Sequence, residues 1–286
     1  MTRSLKPTIV GAVTLAFTWI PLPSSAVTPP CTIIGTDGND VFTEAQQTSG
    51  TDVVCGLGGD DSFFWSPGDD TYIGGDGRDR VSYVDAPLPC ADCYGASIDL
   101  NDALAFLGSE RDAIPEVEDA EGSPWRDQII DDQRNPNTML GRGGADQITF
   151  GGVGNRVLGN GGPDVIWWRF GGDVTRAELV SGNHGRDSIR TYTSQHGVTV
   201  DLAAGTLDGP DVHLMIVSFE DAQGSRYADT LIGDDGNNLL RGGVGDDALF
   251  GGGGRDTLIG GTQVDTADGQ GGIDRCVAET VTNCEA

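Results

Sequence analysis

Lysine is all but missing from this 286-residue chain: Lys6 is the sole example, and Lys plus Arg number 17 against 44 Asp plus Glu, a net charge of -27. Such a surface repels nucleic acid and anionic membranes, which excludes nucleic acid as a partner, and it attracts multivalent cations. Histidine is nearly as scarce. His184, His196 and His213 are the only three, and none stands in an H-E-x-x-H helix. Neither a G-x-S-x-G elbow nor a phosphate-binding loop is present. Acid pairs such as Asp246-Asp247 recur with a period rather than standing alone as a catalytic dyad, so the chain reads as non-enzymatic. Long apolar runs are confined to the amino terminus. Residues 1–26 have the layout of a secretory signal: Arg3 and Lys6, an apolar stretch Ile9–Leu22, and the small-residue end Ser24-Ser25-Ala26. Pro21 and Pro23 cut that stretch short of the roughly 20 residues a membrane anchor needs. The expectation is a secreted, extracellular chain, free or associated with the cell surface, with no membrane span once the signal is removed.

Glycine is what the chain has in excess, with 45 residues. Each costs about 0.5–1 kcal/mol relative to Ala when fixed in regular structure, so an acidic, Gly-rich, disordered linker is the reading to test first. Periodicity argues against it. Six nine-residue units run from Gly224 to Val277 without insertion, with Gly favoured at places one, two and four, an acid at six and an apolar residue at eight. Their sixth residues are Asp229, Asn238, Asp247, Asp256, Asp265 and Asp274. A second block, Gln47 to Ser82, places Asp52, Asp61, Asp70 and Asp79 sixth, and an offset first unit, Gly35 to Thr43, contributes Asp40. The middle is more worn. It supplies Asp127, Asp146, Asp164 and Asp187, while the unit starting at Gly151 puts Arg156 sixth and is expected to bind no cation there.

Within a unit the glycines allow a tight bend and the last three residues a short strand, with the eighth pointing inward. Two units make one flattened coil of 18 residues. Apolar eighth residues fill the interior, and an Asp comes to lie beside the Asp two units away, pairing Asp52 with Asp70, Asp61 with Asp79, Asp146 with Asp164, Asp229 with Asp247, Asp247 with Asp265, and Asp256 with Asp274. Rows of carboxylates repel unless a cation lies between them. Ca²⁺ suits the place, since it takes six to eight hard oxygen ligands, backbone carbonyls included, whereas Mg²⁺ demands a tighter octahedron and keeps its waters.

The repeated G-G-x-G-x-D-x-U-x resembles the nonapeptide of secreted hemolysin-type calcium-binding (RTX) repeat proteins. The resemblance implies a parallel β-roll, calcium ions between its turns as partners, and folding that waits for calcium outside the cell. The chain departs from the family in one respect. Many members leave the cell through an uncleaved carboxyl-terminal signal, whereas this sequence has an amino-terminal one and ends CVAETVTNCEA.

The expected fold is all-β: a parallel β-roll or β-solenoid of stacked nonapeptides with two wider strand-bearing segments. Its boundaries are a signal over 1–26, a cap and first repeat block over 27–82, a non-repeat segment over 83–121, a degenerate block over 122–190, a second non-repeat segment over 191–223, the last block over 224–277 and a cap over 278–286. The two non-repeat segments resemble each other, through GASIDL and VEDAEGS in the first and GVTVDL and FEDAQGS in the second, so the chain reads as an internal duplication. Six Cys agree with an oxidising compartment. Nearness suggests Cys31 with Cys55, Cys90 with Cys93 and Cys276 with Cys284. Cys90-Ala91-Asp92-Cys93 also has redox-active and half-zinc-site readings, although no second C-x-x-C accompanies it. Two other classes of function stand beside the calcium reading. One is an adhesion or surface-layer module binding a surface glycan or a protein partner, with Trp65, Trp125, Trp167 and Trp168 as stacking platforms. The other is a secreted hydrolase with its site in a non-repeat segment.

Overall fold

The structure, a computed structural model, describes residues 30–87, 94–152, 154–169, 179–191, 194–210 and 212–285. The secretory signal and the Cys90–Cys93 pair lie outside the described residues. Residues 31–286 form one unit, a β-roll of two sheets with 14 strands each. Outside the two wider segments, successive strands along the chain alternate between the sheets, so each coil contributes one strand to either side.

Register follows from the period. Val53–Gly58 pairs in parallel with Thr71–Asp76, Val54 opposite Tyr72, and Leu239–Val244 pairs with Thr257–Thr262, Leu240 opposite Leu258. Eighth residues therefore stack on eighth residues. Val54, Phe63, Tyr72, Val81, Ile129, Ile148, Ile166, Ile189, Leu231, Leu240, Leu249 and Leu258 are all buried and belong to one continuous core between the sheets. That core is thin, because a single row of side chains from each sheet fills it. In the first block it is aromatic: the rings of Phe42 and Phe63 stack with centroids 5.1 Å apart, and Phe63 meets Tyr72 at 5.6 Å. End coils have one neighbour instead of two. Both ends are stapled, by disulfides Cys31–Cys55 and Cys276–Cys284.

The two wider segments depart from the parallel rule in the same way. Ala96–Asp99, Leu104–Leu107 and Glu110–Ala113 form an antiparallel meander whose outer members pair in parallel with Gln128–Ile130 and with Thr71–Asp76. Thr199–Asp201, Thr206–Gly209 and Val212–Val217 repeat this topology between Thr230–Ile232 and Leu179–His184. In each, the chain skips ahead and then zigzags back, and the two meanders lie in opposite sheets. Equivalent arginine clamps follow them: Arg78 holds Asp119 with its Nε and Nη2, and Arg186 holds Asp221 likewise.

Two expectations change. Asn155, not Arg156, occupies the sixth place of its coil. The phase of nine continues from Asp146 through Asn155 to Asp164, so the unit begins at Phe150; Asn155 is buried and Arg156 opens the next strand, exposed. Trp168 is the second correction. It is 2 % exposed and lies opposite Phe150 in the core, where it offers no stacking face to a sugar. Trp167 is half-buried under the Arg190 guanidinium, 4.8 Å from the ring centroid, and Trp65 donates its Nε1 proton to Glu110. Among the four tryptophans expected at the surface, Trp125 alone is 40 % exposed.

Candidate metal centre

In most units the coil edge is built around the glycine that opens the unit. A Cβ on Gly56 would lie 2.0 Å from Asp61 Oδ2 and 2.5 Å from the Gly74 carbonyl oxygen; on Gly141, 2.3 Å from Asp146 Oδ2 and 2.7 Å from Gly159 O; on Gly242, 2.3 Å from Asp247 Oδ2 and 2.6 Å from Gly260 O. The sixth-place carboxylate thus folds back over the first residue, and the carbonyl of the following coil arrives at the same spot. Only glycine leaves room for both. Fourth-place carbonyls stack the same way, so that a Cβ on Gly77 would lie 2.0 Å from Gly59 O.

The aspartates of successive coils are neighbours, but they are joined through the backbone. The Asp52 N–H donates to Asp70 Oδ1 at 2.8 Å, Asp61 to Asp79 at 2.8 Å, Asp146 to Asp164 at 2.8 Å, Asp229 to Asp247 at 2.8 Å, Asp247 to Asp265 at 2.9 Å and Asp256 to Asp274 at 2.9 Å. Asp40 donates to Asp61, Asp127 to Asp146 and Asp164 to Asp187. At four ladder ends a glutamate closes the run, Glu118 accepting from Asp79, Glu220 from Asp187, Glu279 from Asp265 and Glu285 from Asp274, and Asp112 closes the one through Asp70.

The ladder uses one carboxylate oxygen per bend. In nine bends the other has no partner: Oδ2 of Asp61, Asp79, Asp146, Asp164, Asp187, Asp247, Asp256, Asp265 and Asp274 is buried and accepts nothing from the protein. An orphaned buried carboxylate oxygen costs upward of about 1–3 kcal/mol, and a native protein repeats that cost only when an ion or water meets it. Burial is the first cause of a displaced ionisation in seven of them, Asp61 included. It raises Asp79, Asp187, Asp247 and Asp256 to about 6, Asp164 to about 7 and Asp146 to about 9.

The donors at such a bend are oxygens alone, one carboxylate and several peptide carbonyls. Among the described residues no three His, Cys, Asp or Glu side chains converge on a point, so soft-metal chemistry has no ligand set here. A hard cation fits, and a carbonyl-rich donor set suits Ca²⁺ over Mg²⁺, which keeps its waters. The model of the RTX calcium-binding nonapeptide repeat matches residues 48–81, 223–258 and 242–276. Over those stretches the chain carries RTX calcium-binding repeats. No curated protein matches it.

The RTX matches cover the first and last blocks, and the geometry extends past them. Asp146, Asp164 and Asp187, in the unmatched middle, have the same ladder and the same orphaned oxygen. Asp52, Asp70, Asp127, Asp229 and Asp40 differ, because a local Ser or Thr donor reaches their Oδ2 or Oδ1, joined at Asp70 by the Asp52 N–H and at Asp127 and Asp229 by the Ala96 and Val198 N–H groups. At Asp52 the Thr48 N–H lowers the ionisation below the ordinary Asp value, whereas burial outweighs the local donors and raises Asp70, Asp229 and Asp127, the last to about 7. Sequence reasoning missed Asn137, which is buried with its N–H on Asn155 Oδ1 at 2.8 Å and so continues one coil edge with neutral amides. Counting back nine residues from Asp146 finds it. It also missed Asp112, which is pushed up to about 7 chiefly by burial and takes the Tyr83 hydroxyl and the Asp70 N–H. Nothing in the local pattern marks that residue.

Proposed function

We propose that this protein is an extracellular, non-enzymatic calcium-binding module whose β-roll closes on Ca²⁺ held between successive RTX bends. The orphaned Oδ2 atoms carry the reading: nine identical buried acceptors, recurring with the repeat, ask for a cation at each. The ion would take that oxygen together with the first- and fourth-place carbonyls, and its charge would offset the surplus of acids over bases. Ca²⁺ supplies electrostatic closure here and no bond-making chemistry. The two disulfides agree with an oxidising compartment outside the cell. Among the described residues no helix is long and apolar enough to cross a membrane.

Extracellular calcium modules bind with dissociation constants of about 10⁻⁴–10⁻³ M. Equilibrium dialysis against millimolar Ca²⁺ is expected to retain several ions per chain, and an equal concentration of Mg²⁺ to displace few of them. A chain that leaves dialysis without bound calcium contradicts the proposal.

A further inference from the structure

The sequence treats all the sixth-place acids alike, yet they divide by what stands four residues before them. Ahead of Asp40, Asp52, Asp70, Asp127 and Asp229 stand Thr36, Thr48, Ser66, Ser123 and Ser225. Each hydroxyl donates to its own aspartate, at 2.9, 2.9, 2.8, 2.6 and 2.9 Å. The N–H groups of Thr36, Thr48, Ser123 and Ser225 add a second bond, at 2.6, 2.6, 2.7 and 2.5 Å, to the Oδ2 that is orphaned elsewhere. In the nine orphaned bends the second residue lies instead in the left-handed region, with φ from 62° at Gln270 to 124° at Gly261, and no donor reaches Oδ2.

The places of the two kinds are ordered. The run Asp61–Asp79 starts from the lock at Asp40 and closes on Glu118; Asp247–Asp265 starts from Asp229 and closes on Glu279. The run through Asp146, Asp164 and Asp187 starts from Asp127 and closes on Glu220. Ser123 and Ser225 sit in the bends that stack on the first strand of each antiparallel meander. There the preceding neighbour is no bend but a strand start, whose N–H, from Ala96 or Val198, takes Oδ1. A bend without a preceding bend lacks half of an ion's cradle, and a hydroxyl fills the need.

We propose that these five Ser/Thr-locked bends hold no calcium through their carboxylates, the hydroxyl and, in all but the Asp70 bend, the N–H standing in for the ion, and that three of them, at Asp40, Asp127 and Asp229, are metal-independent starting coils on which calcium-bearing runs build. The assignment rests on the calcium reading above and divides its sites. Native mass spectrometry of the full chain in millimolar Ca²⁺ tests it by counting ions. Asp164→Asn and Asp247→Asn are expected to bind at least one ion fewer than the wild type, whereas Asp127→Asn and Asp229→Asn keep the wild-type count. Ser225→Ala, which preserves the carboxylate, guards against an Asp229→Asn chain that fails to fold. It is expected to keep the count and lower the thermal midpoint, by roughly 3 °C. A lower count in Ser225→Ala, or a loss in Asp229→Asn equal to that in Asp247→Asn, overturns the division while leaving the calcium reading in place. A wild-type chain with no bound calcium overturns the reading itself.

Discussion

Exhaustive chelation at pH 7.5 is expected to remove most of the far-ultraviolet sheet signal of the purified chain and to expand it, with both changes reversed by millimolar Ca²⁺. Millimolar Ca²⁺ is up to about tenfold over dissociation constants of about 10⁻⁴–10⁻³ M, and each ion bound only by the folded form then adds up to about 1.4 kcal/mol. A domain's whole stability is only about 5–15 kcal/mol, so losing an ion at each of the nine orphaned bends removes a comparable amount. Without them the fold must bury nine carboxylate oxygens with no partner. Protons are the one substitute. The folded-state values of about 6 for Asp79, Asp187, Asp247 and Asp256, about 7 for Asp164 and about 9 for Asp146 all lie above the ordinary Asp value. A raised carboxyl favours folding fully below the unfolded value near 4, and that contribution is lost as pH climbs through 6 to 9. The calcium-free chain should therefore regain sheet signal on acidification to about pH 4 and lose it again toward pH 8, the opposite of the usual acid denaturation. Calcium-free protein that is folded at pH 8 and unfolds in acid would contradict this.

A single methyl group in the wrong bend should do nearly as much. Gly162 has φ +115°, and a Cβ there would lie 1.5 Å from the Gly144 carbonyl oxygen of the preceding coil. Gly144 cannot yield, since it is itself left-handed and packed against the Trp125 backbone. Gly162→Ala adds the strain of a left-handed alanine, about 1–3 kcal/mol, to a backbone clash. A loss of more than about 4 kcal/mol is expected, among the largest effects of point substitutions. Gly38→Ala is the comparison, because its nearest atom would be Thr36 Oγ1 at 3.8 Å, and it should stay within about 0.5 kcal/mol of wild type. Thermal unfolding in saturating calcium measures both. Equal midpoints would remove the claim that the carbonyl stack sets the spacing of the coils.

How much of this was legible in the chain depends on which residues carried the period. Asp247 and Leu249 repeat at Asp256 and Leu258, so one unit fixes the next, and the inward eighth residue and the eighteen-residue neighbour follow from arithmetic. Asn155 was hidden because Phe150 stands where a glycine usually opens the unit, which invites a register one residue late. Asn137 lies in DQRNPNTML, a unit without glycine. The meanders were foreseen as wider strand segments through alternation at Val198 and Val200, but not their placement in opposite sheets, since a reversal of strand order is decided by pairing partners far along the chain. The division of the aspartates was in plain view as Ser or Thr against Gly, Asn, Arg, Leu or Gln at the second place. Its meaning needed the φ angles and the atoms left unpaired.

An anomalous-scattering difference map from crystals grown in millimolar calcium tests the central claim most directly. It should show peaks within bonding distance of the orphaned Oδ2 atoms, along the runs Asp61–Asp79, Asp146–Asp187, Asp247–Asp265 and Asp256–Asp274. A well-ordered roll with no anomalous density at any of those oxygens would contradict the account.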